Sequence, residues 1–587
     1  MKILLRFAVL AACLPPGAAL WAQQQPWSVR AASAAMDRWP AGSSAAGGGP
    51  AGEGVLLDAL HAVWLNTVDR PDYEYIKRTV DPLIGPDGSL KAGDPLAEIQ
   101  LGRSLLLLYG VTLNKRYFNA ATALYQQLQT YPSDAPEEMA EAEPFLAEYA
   151  LTFHHPEAFA DISKQIAQAE QVVGVQGSGR GRADSGSSAR RVGWLMAALV
   201  DTLPYLPEDD PGRTQLIAIL NRDASAVARY RDAKTAVWAR TLGKAGAAGN
   251  PPDDLASCLF VYALAKGVRR GYLPERYDAA AQRGYQGLLS SIVMAGSDGS
   301  MSLTGGADSD DPASYGAFIL ASTEAEHMES AKLGRGDTVM VDGWFNSQKR
   351  TDPTGREVYF HYKWDDQSNP GYSLWGHIFR NFGAHTATLY AEPTAENLRQ
   401  AQVFIVASPD NLDTNRQAHF PTAEDAAQIA KWVKAGDVFV IMENDPSLAD
   451  QTHFDVISDK FGIHFNDVLR MHVVGTDHEM GEFQLDGNGP IFHHPLTVFV
   501  KDVCTISVKP PAVPVYTHDG DIFMAVARYG KGTVYAMVDP WFYNEYTNGL
   551  KLPAMYDNYG AGVELARWIL EQVPKQAAQQ AAATVGR

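Results

Sequence analysis

Two hydrophobic periodicities divide the chain. From Trp27 to about Met328 apolar residues recur three and four positions apart, as in Leu56, Leu60, Val63 and Trp64, or Leu105, Leu108 and Tyr109. That spacing predicts amphipathic or buried helices. About twelve are expected, near 27–38, 52–68, 71–82, 96–113, 115–129, 137–153, 156–170, 190–204, 211–230, 254–271, 275–294 and 312–329. Turn chemistry separates them, as at Pro86-Asp-Gly, Leu206-Pro-Glu-Asp-Asp-Pro-Gly, Gly249-Asn-Pro-Pro and Ser297-Asp-Gly. Twelve helices in this length fit an (α/α)6 barrel. An α-solenoid is the alternative, but no fixed sequence period supports it. The stretch 174–189 is Gly/Ser-rich and reads as a loop.

From Asp337 to about Val573 short apolar runs replace the helical spacing. Thr338-Val-Met-Val341, Thr386 to Tyr390, Gln402 to Ala407 and Val438 to Met442 read as strands. Helices are expected around Leu374 to Phe382 and from Thr422 to Gly436. The second opens with a capping box, since Asp425 follows Thr422 by three residues. Strands alternating with helices predict a doubly wound parallel sheet. Runs at 498–508, 522–528 and 533–538 suggest antiparallel or mixed pairing, and a helix from Gly560 to Glu571 closes the domain. The predicted fold class is therefore an all-α (α/α)6 barrel over 27–330 followed by a separate α/β domain over 337–573. A disordered Ala/Gln-rich tail is expected over 574–587.

Composition narrows the function. The chain has 587 residues and a net charge of -19. An acidic surface argues against nucleic-acid or anionic-membrane partners. Lys2 and Arg6, followed by an apolar run from Phe7 to Leu14, read as a signal peptide over 1–22 with cleavage near Ala19 or Ala22. A secreted or periplasmic location follows, with a lipoprotein box at Leu10-Ala-Ala-Cys13 as the lesser alternative. No run is long enough for a membrane span. Past that segment only Cys258 and Cys504 remain, both in apolar surroundings, and they read as buried thiols.

Several phrases of the helical part, in order, carry a family resemblance: GVLLDALHAVW, LGRSLLLLYGVT, Glu137-Glu-Met-Ala-Glu-Ala-Glu-Pro-Phe-Leu-Ala-Glu-Tyr149, Arg190-Arg-Val-Gly-Trp194, YRDAKTAVW and ASCLFVYALAKGVRRGYLP. Residues 27–330 resemble the unsaturated rhamnogalacturonyl hydrolases of glycoside hydrolase family 105, relatives of the family 88 unsaturated glucuronyl hydrolases. The resemblance implies hydration of the Δ4,5 double bond of a terminal unsaturated uronic acid during pectin-type polysaccharide degradation. The hemiketal so formed collapses and releases the sugar. The implied partner is an acidic oligosaccharide; no cofactor and no metal are implied.

Alignment on Glu143-Pro144-Phe145 puts Glu137 at the family's acid. Arg190 and Trp194 match its carboxylate- and sugar-binding Arg and Trp, and Trp238 is a further candidate for substrate binding. The sequence also departs from the family. Glu replaces Asp at 137, Ala135 and Ala140 replace a Trp and a Tyr, Ala97 replaces a second Asp, and 174–189 replaces a His-bearing loop. Bland readings stand beside each role: a helix-start acid favoured by the macrodipole for Glu137, a loop-end charge for Arg190, core positions for Trp194 and Trp238. With its aromatic neighbours gone, Glu137 is expected to be exposed. Two functions follow: a glycoside hydrolase with an eroded site, or a secreted, non-catalytic saccharide-binding protein.

The second part resembles glutamine-amidotransferase-like or ThuA-like α/β domains, on Thr422 to Gln428, WVKAGDVFVIMEND and YGKGTVYAMVDPWFYNEY. Amidase chemistry needs a Cys at a strand-to-helix elbow; Cys504 falls inside a predicted strand. Asp342, Trp344, Asp365, Asp410, Glu443, Asn444, Asp445 and Asp539 fall near strand C-terminal ends, as ligand rim or as turn caps. His472, His478, His493 and His494 are too loosely spaced to predict a metal site.

Overall fold

The computed structural model describes residues 25–42, 49–91, 98–130, 135–175, 187–296, 300–304 and 311–574. The expected signal peptide, Ala97, most of 174–189 and the tail beyond 574 lie outside the described residues.

Among the described residues the first part holds twelve α-helices. They are α1 (Trp27–Arg38), α2 (Gly49–Thr67), α3 (Arg70–Val80), α4 (Gly102–Thr112), α5 (Lys115–Leu128), α6 (Pro136–Phe153), α7 (Ala158–Val173), α8 (Ala189–Thr202), α9 (Pro211–Tyr230), α10 (Asp254–Arg269), α11 (Asp278–Ser291) and α12 (Pro312–His327). A short hairpin, β1 (Val293–Ala295) with β2 (Met301–Leu303), precedes α12. Even-numbered helices are apolar on most sides; α10 is buried at every position from Leu255 to Ala265. They can only be inner helices. Odd-numbered ones such as α5 and α9 bury a single stripe and pack outside. Helix starts are chemically marked: Asn114, Asp210, Asp253 and Asp311 each accept a backbone N–H of the first turn.

In the inner ring α2 packs on α12, α12 on α10, α10 on α8 and α8 on α6, with α4 between α6 and α2. Gly316 makes one crossing possible: a Cβ there would stand 2.8 Å from the Val55 backbone. Five of the six inner helices and the turn that follows α8 line one cavity, through Asn66, Leu107, Glu148, Lys266 and Glu324 from the helices and Tyr205 from the turn. Their N-terminal ends therefore gather at the opposite end of the barrel.

The second part is built on a mixed sheet, nine-stranded among the described residues. Its strands are β3 (Thr338–Asp342), β6 (His385–Leu389), β7 (Val403–Ala407), β8 (Val438–Met442), β9 (Ile463–Arg470), β12 (Val503–Val508), β13 (Ala512–His518), β14 (Asp521–Tyr529) and β15 (Gly532–Met537). Two small hairpins, β4 (Lys349–Thr351) with β5 (Glu357–Tyr359) and β10 (Glu482–Leu485) with β11 (Leu496–Phe499), stand apart from it. The order is β6-β3-β7-β8-β15-β14-β12-β9, with β13 on β14. β6, β3, β7, β8 and β15 run parallel, and β14, β12, β9 and β13 extend the sheet antiparallel. The doubly wound description thus holds for half of the sheet only. The chain leaves β3 to β6 on one side and returns to β7 on the other, a topological switch point. Helices α13 (Ser373–Asn381), α14 (Ala423–Ala435), α15 (Gln451–Ser458), α16 (Asn544–Thr547) and α17 (Asn558–Gln572) complete the domain. The capping box of α14 forms: Thr422 accepts from the Asp425 N–H, and the Asp425 carboxylate from the Thr422 N–H at 2.8 Å. The run expected as one strand over 498–508 is two, β11 and β12, and β9 and β13 had no expected counterpart.

Each part has its own apolar core, one from Ala31 to Ala321 and one from Val339 to Val573. They meet over the C-terminal end of the barrel. The junction turns on Asn66 of α2. Its Oδ1 accepts from His327 Nε2 at 3.0 Å, His377 Nε2 at 3.0 Å and Asn381 Nδ2 at 2.6 Å. An amide oxygen only accepts, so both imidazoles carry their proton on Nε2. Burial keeps both rings neutral: His327 is held down to about 4, and His377 well below its ordinary range.

Candidate functional site

The N-terminal ends of the inner helices carry the residues that the sequence singled out. Glu137 opens α6 and is exposed, and Glu138 beside it is half-buried. Arg190 opens α8, the neighbour of α6 in the ring. Its guanidinium donates from Nε and Nη2 to Asp253 Oδ1 at 3.3 Å. Asp253, only 5% exposed, is also the N-cap of α10, accepting from the Ala256 N–H. A carboxylate fixed by its own helix thus holds Arg190, which keeps 38% of its side chain in solvent. Trp194, one turn further along α8, is buried, with 7% of its surface open. Trp238 requires a correction. It is completely buried, its indole N–H donates to the Val227 carbonyl at 2.8 Å, and its ring meets Phe260 edge-on. No ring face is left for a sugar, so Trp238 is a core residue.

Below the rim, one turn after Glu137, Glu141 reaches into the barrel towards Gly54 and Gln100. Burial, then the nearby Asp58 carboxylate, pushes the Glu141 carboxyl well above the ordinary range. Deeper still, Arg103 of α4 is paired with Asp58 and lies 3.8 Å from Glu148. Asp201 accepts a 2.6 Å hydrogen bond from the Tyr262 hydroxyl and is paired with Lys266. Charges thus extend from the rim through the barrel. Sequence reasoning placed Asp58, Arg103, Asp201 and Lys266 inside scaffold phrases only. The signal was present: each is a single charge inside an apolar helix, which burial tolerates only when it is paired.

In the second domain most of the strand-end residues cap turns. Asp342 accepts the backbone N–H groups of Trp344, Phe345 and Asn346, and Asp410 accepts the Ser347 backbone N–H and the side-chain amides of Gln348 and Asn415. Asp445 accepts from the Ser447 N–H, and Asp539 from the Lys501 N–H at 2.8 Å. Glu443 differs: it is fully buried with neither carboxyl oxygen hydrogen-bonded. A cavity of about 320 Å³ at the switch point is lined by Tyr362, Ser408, Asn444 and Lys501. Cys504 lies inside β12, buried, with its thiol pushed up by burial, and no strand-to-helix elbow presents it. The histidines do not gather: His472 pairs with Asp502, His494 with Glu564, and His478 packs on Phe499. The sequence did not single out Asp455, Asp459 and His464, which stand close enough together to hold a cation.

A ring of six parallel inner helices, with an Arg fixed at one mouth and carboxyls at and below the rim, defines an (α/α)6-barrel glycoside hydrolase. The Glycosyl Hydrolase Family 88 profile matches residues 51–329, α2 to α12 and the two residues after it. The chain belongs to that family. Protein Atu3128 of Agrobacterium fabrum is 34% identical over 164 residues, covering 25% of this chain and 70% of that protein. The 24.9 kDa protein in the picA locus of Rhizobium radiobacter matches with the same figures. Among solved structures, a Clostridium acetobutylicum family 105 glycoside hydrolase is 25% identical over 51% of this chain and 99% of its own, with a TM-score of 0.46. A Bacteroides vulgatus glycosyl hydrolase of family 88 is 15% identical over 51% and 97%, with a TM-score of 0.39.

Proposed function

We propose that this glycoside hydrolase acts on oligosaccharides ending in a Δ4,5-unsaturated uronic acid, as in pectin-type degradation. The observation that carries the reading is Arg190, oriented by buried Asp253 yet half-exposed at the mouth where α6 and α8 begin. A guanidinium held in that way suits a planar carboxylate. Trp194, one turn below, would form the apolar wall beside the sugar.

The chemistry needs a carboxyl that gives a proton to C4 of the double bond while water adds at C5; the hemiketal then opens and expels the sugar. The family alignment assigns this to Glu137. Glu141, four residues on, is a second candidate, because burial disfavours its charge and pushes its carboxyl up. Loss of the uronyl double-bond absorbance in a lyase digest tests the reaction, and two variants assign the acid. Glu137→Gln should lower the rate by about 100-fold or more if the rim carboxyl is the acid. The same fall in Glu141→Gln, with Glu137→Gln near wild type, moves the role one turn inwards. If no digest loses absorbance, hydrolysis of this substrate class is rejected.

The second reading is a saccharide-binding protein without turnover. It is favoured by the exposure of Glu137 and by Arg190 being already engaged by Asp253. Calorimetric binding of unsaturated uronides without loss of absorbance would establish it. Export belongs to both readings, and N-terminal sequencing of the mature protein, expected to begin just after Ala19 or Ala22, checks it.

A further inference from the structure

The cavity between the domains, about 670 Å³, lies at the barrel end opposite the family's site. Its walls hold two kinds of cation. Arg103, Lys266 and Arg269 are matched by carboxylates; Arg269 is bidentate to Glu324 at 2.6 and 2.7 Å. Arg213, Arg270 and Arg380 form no ion pair among the described residues. Arg380 of α13 donates to Thr386 Oγ1 at 3.0 Å, and the charges nearest to it are the guanidiniums of Arg270 and Arg269. Arg213 is bonded to the Leu203 and Leu206 carbonyls and stacks 5.3 Å from the Tyr272 ring. Glu208 and Asp365 are the acids facing this part of the wall, and His385 is the ring beside Arg213 and Arg270.

Arg380 is half-buried, and a guanidinium taken even partly out of water without a counter-ion is disfavoured, more so with like charges nearby. Burial and its cationic neighbours pull Arg380 down to about 9. In a chain of net charge -19, three unpaired arginines on one wall are not a general excess of base. Such a wall suits an anionic ligand. The cavity has the volume of an organic ligand, within the roughly 300–1,000 Å³ typical of such sites, and far exceeds a bare oxyanion. Trp364, Tyr390 and Tyr272 supply ring surfaces, and Asn548 and Gln367 supply amides.

We propose that the interdomain cavity binds a small sugar acid, its carboxylate held by Arg380 and Arg270 and its hydroxyls by the amide-bearing wall. The site is separate from the barrel mouth and does not depend on turnover there. It joins both domains, so its occupant bridges them.

Calorimetry on the full chain tests this in an Arg190→Ala background, which removes the mouth's carboxylate ligand. Galacturonate should still bind at one site, glucose should not, and inorganic phosphate should bind at least about tenfold more weakly. Adding Arg380→Met, or separately Arg270→Gln, should weaken galacturonate by about tenfold or more, the worth of a charge-assisted pair. Arg270 is partly exposed, so its variant decides the matter if Arg380→Met fails to fold. Three results would each overturn the proposal: no galacturonate binding once Arg190 is gone, equal binding of glucose or phosphate, or indifference to both arginine variants. The double-bond assay on the unmodified protein is read separately, so failure at the mouth is distinguishable from failure here.

Discussion

Glu143 follows Glu141 by two residues in α6 and is wholly buried, with one carboxyl oxygen unpartnered. Burial lifts its carboxyl from 4.5 to about 8. The folded state holds the proton more tightly than the unfolded chain does. Its contribution to stability is therefore complete below about 4.5 and is lost as the pH rises to about 8. Glu143→Gln keeps the shape and removes the charge at every pH. The variant should match wild type at pH 4.5 and melt higher at pH 8, because the wild-type penalty grows by about 1.4 kcal/mol per pH unit between those limits. Thermal midpoints at the two values check this; parallel pH dependence in both proteins would show that Glu143 does not set the slope. The neighbouring Glu137, exposed at the rim, has none of this burial, which is why the assignment of the acid needs both glutamine variants.

Among the elements, the α2–α12 crossing is the tightest test of the barrel. Gly316 lets the Val55 backbone approach, and a side chain there meets main chain that cannot swing away. Gly316→Val should destabilise the barrel by about 1–3 kcal/mol, the usual cost of overpacking. A denaturant midpoint unchanged within error would mean that the two helices separate freely. The elements themselves were legible: all twelve barrel helices stand where the apolar spacing put them, because inner and outer helices differ in how many of their sides are apolar. The capping box of α14 was legible for the same local reason. The hairpin β4–β5 and the strands β10 and β13 were not, since a run of three or four residues or a half-exposed edge strand leaves no alternation to read.

For the whole molecule, one amide oxygen gathers three of the hydrogen bonds at the junction between domains. Asn66→Ala removes the acceptor for His327, His377 and Asn381 together and leaves buried donors unsatisfied. The expected loss is about 1–3 kcal/mol for a buried donor. It should appear as separation of one unfolding transition into two, read by calorimetric melting. A single transition shifted by less than about 0.5 kcal/mol would show that other contacts, such as Trp64 to the Asn548 carbonyl and Tyr559 to the Leu65 carbonyl, carry the junction.

Helical period, helix order and family phrases are local patterns, and the sequence by itself determined from them the barrel, the sheet domain and the barrel end at which Glu137 and Arg190 stand. Residue type alone could not separate the tryptophans. Trp194 and Trp238 share a composition context, and only packing made Trp238 wholly core. Nor could it pair Arg190 with Asp253, 63 positions away, or bring Asp58, Arg103, Asp201 and Lys266 into one buried chain. The cavity where Arg213, Arg270 and Arg380 meet was the least legible of all. Each of its walls is an ordinary helix end or strand edge, and the site exists only because two separately folded cores dock over the C-terminal end of the barrel.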